Sequence, residues 1–238
     1  MSAVSNKIII ALDFEDEAPL NELLNKLDPN QCRLKIGKTL FTQYGPQWVA
    51  KLQALGFEIF LDLKFHDIPQ QVEGACYAAA KKGVWMTNVH ASGGLAMLKA
   101  AKAGVDKAAK ETGHKTLLIG VTLLTSLTEQ DAHQIGYTGT TAECVMRLAK
   151  LCFDAGLDGV VCSANEATEL KKTFGPRFLC VTPGIRLPED GKQDQQRVMT
   201  PENAIKAGSD YLVIGRSITH AKTPTQVLNQ IHESITAI

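Results

Sequence analysis

Short apolar, β-branched runs alternate along this chain with segments whose apolar positions recur at helical spacing. The runs cover residues 8–14, 33–38, 58–65, 86–92, 116–125, 159–164, 179–186 and 211–218. Their length and residue types predict strands. The helical pattern covers 20–27, 47–55, 72–82, 95–111, 142–155, 166–174, 201–207 and 224–236. Strict alternation of strand and helix predicts a parallel sheet, since each strand must be regained by a crossover on one face.

A junction recurs where a helix passes into the next strand. It reads Leu55-Gly56-Phe57-Glu58, Lys82-Gly83-Val84, Ala155-Gly156-Leu157-Asp158 and Ala207-Gly208-Ser209-Asp210. Glycine past a helix end takes the left-handed cap that strains other residues. Eight such units in 238 residues fit one closed (β/α)8, or TIM, barrel spanning 1–238. A doubly wound open sheet is the alternative. It would carry G-x-G-x-x-G after the first strand, where this chain has Ala11-Leu12-Asp13-Phe14-Glu15. The longest irregular stretch, 187–197, is rich in charge and Gln, and suits a lid or binding loop better than a domain boundary.

Composition narrows the function classes. The chain is 45% hydrophobic and 21% charged, as in a globular protein. Lys plus Arg and Asp plus Glu both number 25, giving a formal net charge of zero. No global field holds nucleic acid or an anionic membrane, so an anionic ligand needs local charges. The six cysteines form no C-x-x-C pair and sit mostly among apolar residues, which fits reduced, buried thiols in the cytoplasm rather than a zinc site. The polar start has no signal-peptide pattern, and no apolar run approaches the ~18 residues of a membrane span.

In such a barrel the chemistry lies at the C-terminal ends of the strands. Asp13 ends the first run, and Lys35 sits in the second. The third ends Phe60-Leu61-Asp62-Leu63-Lys64-Phe65-His66-Asp67. Side chains alternate along a strand, so Asp62 and Lys64 share one face and Leu61 and Leu63 the other. The leucines suit the helix-packed outside, which turns Asp62 and Lys64 inward. By the same parity Arg33 and Lys35 share a face. A structural ion-pair network would also account for inward charges, but a fold needs none of them. A second cluster lies at Thr182-Pro183-Gly184-Ile185-Arg186 and Ile214-Gly215-Arg216-Ser217. The loops after strands seven and eight of barrels often hold phosphate through backbone N–H groups and an Arg.

These residues together resemble the orotidine 5′-phosphate decarboxylase family in its bacterial form. Asp62-Leu63-Lys64-Phe65-His66-Asp67-Ile68-Pro69 is similar to the family's D-x-K-x-x-D signature. Asn88-Val89-His90-Ala91-Ser92-Gly93-Gly94, Val160-Val161-Cys162-Ser163, Val181-Thr182-Pro183-Gly184-Ile185-Arg186 and Val213-Ile214-Gly215-Arg216 follow in the family's order. The resemblance runs from Ile8 to the last helix. It implies a barrel of the ribulose-phosphate-binding type that converts orotidine 5′-phosphate to UMP without cofactor or metal. It further implies a Lys35, Asp62, Lys64, Asp67 array with Lys64 as proton donor, and a homodimer in which Asp67 reaches the partner's site. Asp13 and Lys35 would contact the ribose and Thr125 the pyrimidine. Arg186, Gln195, Gly215 and Arg216 would hold the base edge and phosphate. Many bacterial members read I-P-N-T after the second Asp; this chain reads Ile68-Pro69-Gln70-Gln71, so Gln71 stands where that Thr makes its contact.

Two other readings compete. A metal-dependent sugar-phosphate decarboxylase or aldolase of the same barrel group would carry an acidic metal ligand where strand two offers Lys35. A non-catalytic phosphate-binding barrel would have no need of an inward Lys64.

Overall fold

The structure, a computed structural model, describes residues 7–187 and 199–237. The first half of the chain runs β1 (Ile8–Leu12), α1 (Glu17–Leu24), β2 (Arg33–Ile36), α2 (Lys38–Tyr44), α3 (Gln47–Ala54), β3 (Ile59–Phe65), α4 (Pro69–Lys81), β4 (Met86–His90) and α5 (Gly94–Thr112). The second half runs β5 (Leu117–Val121), α6 (Glu129–Gln134), α7 (Thr141–Asp154), β6 (Gly159–Val161), α8 (Ala164–Phe174), β7 (Leu179–Thr182), α9 (Pro201–Lys206), β8 (Tyr211–Ile214), α10 (Arg216–Thr219) and α11 (Pro224–Thr236). The strands pair in parallel in the order β1 to β8, and β1 pairs β8 to close the barrel. An open doubly wound sheet is thereby ruled out.

Alternation along the strands divides the core into an inside and an outside. Ile9, Ala11, Phe60, Met86, Ile119, Val181 and Val213 form the buried plug within the barrel. Their strand neighbours Ile8, Ile10, Leu34, Ile36, Ile59 and Leu61 pack outward against the helices. The same holds on the far side, where Val89, Leu118, Val160 and Cys180 meet α4, α5, α7 and α8. All six cysteines are free and buried, in line with the expectation of inert thiols.

The floor is closed by a cation. Arg33 points inward at the start of β2, with its guanidinium 4.1 Å from the Trp85 ring centroid and 5.2 Å from that of Tyr211. Glu58 meets it at 2.7 Å. Two residues further on, Lys35 points inward at the mouth. One parity thus yields a structural charge at the floor and a second, buried one at the mouth.

All the strands but β3 stop earlier than the apolar runs. Asp13, Thr125 and Arg186 lie past their strands, in the loops that surround the mouth, and Arg216 opens α10 just past β8. The helices α2, α6 and α10 add to the eight expected from periodicity. Among the described residues, no helix is long and apolar enough to cross a membrane.

Candidate active site

The mouth of the barrel opens into a cavity of about 500 Å³. Asp13, Lys35, Asp62, Lys64, Thr125, Arg186, Gly215 and Arg216 all line it. Eight residues singled out from the sequence therefore meet in one space, although they come from six strands or the loops that follow them.

On one wall the charges are linked. Lys64 Nζ donates to Asp62 Oδ1 at 2.6 Å. Lys35 Nζ stands 3.2 Å from Asp62 Oδ2 and 3.3 Å from Asp13 Oδ1. Lys35 and Asp62 are buried, so solvent screens their pairing little. Burial alone would push Lys35 down, but the carboxylates of Asp62 and Asp13 outweigh it and hold its ammonium above the ordinary lysine range. Burial likewise pushes Asp62 up, yet Lys35, Lys64 and the hydrogen bonds from Lys64 and Asn88 keep it below the usual carboxylate range. Lys35 is therefore a cation and Asp62 a buried anion at neutral pH.

The local backbone explains how β3 delivers both Asp62 and Lys64. β3 and β4 pair at Phe60 with Met86 and at Leu61 with Thr87, then only at Phe65 with Val89. Four residues of β3 thus span two of β4, a bulge with two extra residues. Because the excess is even, inside and outside parity survives it, and Asp62 and Lys64 both stay inward. Lys64 has φ of 53°, the one positive value for a non-glycine among the described residues. Such strain persists where the surroundings over-determine it, and it gathers at functional sites.

Gly37, just past β2, shows why the wall is tight. A Cβ there would lie 3.0 Å from Lys35 Nζ and 3.2 Å from Asp13 Oδ1. Its φ of −91° suits any residue, so clearance rather than backbone conformation calls for glycine. On the other side of the cavity, α10 lies along the wall, with Gly215, Arg216, Thr219 and His220 lining it. Pro183, Gly184 and the buried Arg186 complete that side. Cations and glycines on that side offer the kind of groups that can hold an anion.

Three candidates stand apart. Asp67 and Gln71 are exposed and do not line the cavity; Asp67 accepts a hydrogen bond from the Ile68 N–H at 2.6 Å. Gln195 and most of the stretch 187–197 lie outside the described residues. Sequence reasoning gave no role to Gly37, Asn88, Ser126 or His220. Asn88 carried a signal in its parity with Met86: a polar residue on the inner face of a strand needs partners there. Near the rim, His90 is held down to about 4 by burial, by His66 and by Lys38 and Lys64, so its ring is neutral at pH 7.

Comparison with known proteins decides the lineage. Residues 6–231 match the Orotidine 5′-phosphate decarboxylase / HUMPS family. The chain belongs to this family. It is 54% identical, over 96% of its length and 95% of the relative's, to the orotidine 5′-phosphate decarboxylase of Hydrogenovibrio crunogenus. With that of Shewanella sediminis it shares 53% identity over 98% of both chains. The crystal structure of orotidine 5′-phosphate decarboxylase from Lactobacillus acidophilus matches with a TM-score of 0.85 at 40% identity, covering 96% of this chain and 98% of that one. These relatives are carboxy-lyases by name. The sequence-based resemblance to the decarboxylase family is thus borne out over almost the whole chain.

Proposed function

We infer that this chain decarboxylates orotidine 5′-phosphate to UMP, the last step of de novo pyrimidine synthesis, with Lys64 as proton donor and no cofactor. The observation that carries this reading is the Lys35–Asp62–Lys64 line of charges in a cavity that Arg186 and Arg216 also line. The names of relatives more than half identical to it support the same substrate.

The chemistry requires what this wall offers. Cleaving the bond between the pyrimidine ring and its carboxylate releases carbon dioxide and leaves the electron pair on the ring carbon. No ring atom is placed to delocalise that pair well, so stabilisation must come from fixed charge. The Lys64 ammonium supplies a positive charge and then transfers its proton to the carbon, forming the C–H bond of UMP. The neutral amine left behind regains a proton from water. Asp62 pairs with the Lys64 ammonium beforehand, and it stands close to where the substrate carboxylate must lie. Phosphate is remote from the breaking bond, so its grip by Arg216 and the Gly215 backbone can serve to hold the reacting end in register. In this reading Asp13 and Lys35 hold the ribose, Thr125 meets the pyrimidine, and Arg186 and Gln195 help to hold the base edge and phosphate.

The same reading makes the protein a homodimer of single-domain chains. Asp67 completes the partner's array from a loop outside its own cavity, and Gln71 lies on the same shared face. In support, Ile68 beside Asp67 is 61% exposed, and Leu95 and Leu124 are exposed beyond β4 and β5. An apolar rim around the mouth suits a second copy of the chain. Six buried thiols suit the reducing cytoplasm.

Lys64→Ala tests the assignment. Its turnover should drop by more than about 10³-fold while UMP binding stays within roughly threefold, the pattern of a group engaged only in the transition state. Turnover near the wild-type rate would remove Lys64 from the chemistry.

A further inference from the structure

Between Asp62 and Lys64 stands a side chain that no step above uses. Asn88, in the middle of β4, is completely buried. It faces the gap that the β3 bulge leaves in the ladder. Across that gap its Oδ1 accepts the backbone N–H of Lys64 at 2.8 Å. Its Nδ2 donates to Asp62 Oδ1 at 2.7 Å. Turning the amide over would set NH₂ against N–H and oxygen against carboxylate, so its two partners fix its orientation. Among side chains of this size only Asn donates and accepts in this way: Asp lacks the donor and Leu has neither group.

We propose that Asn88 is a positioning residue for decarboxylation: it holds the left-handed turn at Lys64 and aims the Asp62 carboxylate, so that one oxygen meets Lys64 and the other Lys35. A left-handed backbone is costly for a residue with a Cβ, and the bond to Lys64 N–H helps to hold it. Without that bond the Lys64 turn can relax and carry Nζ away from the cavity. Without the donor, Asp62 is free to rotate, and the two lysines lose their common anchor. Asn88 itself does not line the cavity, so it acts only through these two residues. The inference rests on the reading of Lys64 as proton donor.

Asn88→Asp separates positioning from bulk. It keeps the size and the acceptor for Lys64 N–H, but sets a second carboxyl oxygen against Asp62. Two such carboxylates resist joint ionisation, so the donor returns only while the pair holds a proton. With orotidine 5′-phosphate as substrate, kcat of N88D should fall roughly 10- to 100-fold at high pH, the size expected for a lost bond to a charged group. It should climb back as pH is lowered through the titration of the new pair. The wild type should lack this transition, and UMP affinity should change less than about threefold at every pH. Wild-type kcat with a wild-type pH profile would overturn the proposal. So would parallel loss of kcat and UMP binding, which marks a merely structural role. Should N88D fail to fold, Asn88→Ser, which removes both bonds with little bulk, decides on the same readout: low kcat with UMP binding kept supports positioning, and unchanged kcat refutes it. Lys64→Ala is measured alongside. An active K64A chain sinks the proton-donor reading, whereas a dead K64A chain beside an unaffected N88D sinks only the role of Asn88.

Discussion

At the residue scale, the inward wall was legible because strand alternation is rigid. Asp62 and Lys64 flank Leu63, and only one of the two faces suits leucines packed beneath helices. The bulge in β3 was not legible, since periodicity of two is blind to an even insertion. It left the parity reading correct while hiding the strained backbone at Lys64 and its brace at Asn88. Gly37 was hidden for another reason: its role depends on side chains that fold against it from β1 and β2. Gly37→Ala should therefore leave the melting temperature within about 2 °C, since its backbone angles suit alanine. The added methyl crowds Lys35 and Asp13, and kcat/KM for orotidine 5′-phosphate should fall on the order of tenfold, because small misplacements in a preorganised site are costly. Steady-state kinetics beside a thermal melt checks both halves; unchanged kinetics would mean that the lysine tolerates the displacement.

At the element scale, every expected strand and helix is present, and all the strands but β3 end before their apolar runs do. The apolar runs overran the strands at their C-terminal ends, because residues such as Leu123 and Ile185 stay buried after the ladder has stopped. Those overruns carry the mouth. The unforeseen α6 had a signal: Thr128 and Asp131 form a reciprocal capping box. The unforeseen α2 and α10 lie within strand-to-helix connections, too short for periodicity to register. The barrel also separates stability from chemistry along each strand. Arg33 and Lys35 are two residues apart in β2, yet one seals the floor between Trp85 and Tyr211 and the other lines the cavity. Arg33→Ala should cost about 2–3 kcal/mol of folding free energy, from the lost stacking and packing. Its kcat should stay within about twofold, as expected for a change at the N-terminal face of a barrel. Urea melts and initial rates measure the two effects, and a large fall in kcat with intact stability would break this division.

At the scale of the whole molecule, zero net charge leaves binding to local geometry, and that geometry gathers residues scattered from Asp13 to Arg216. The closed topology followed from counting eight alternating units. Shared sites between two chains are not written in one chain's periodicity; the proposal of a dimer draws on the family and on the exposed rim at Asp67 and Ile68. It predicts complementation. Lys64→Ala and Asp67→Ala chains, each nearly inactive alone, are unfolded and refolded together. In a mixed dimer one site combines both lesions, and the other receives intact Lys64 and intact Asp67. With random mixing about half the dimers are mixed, so roughly a quarter of wild-type activity should return. If nothing returns, although each variant alone refolds to a dimer, Asp67 serves its own chain.

In the proposed function this barrel removes carbon dioxide from orotidine 5′-phosphate with charges of its own side chains. The most direct measurement is the fall in pyrimidine absorbance when that nucleotide is added to the purified protein, with and without prior treatment with EDTA. Equal rates in both samples and stoichiometric UMP are expected. Absence of UMP, or activity that vanishes in EDTA and returns with Mg²⁺, would contradict it.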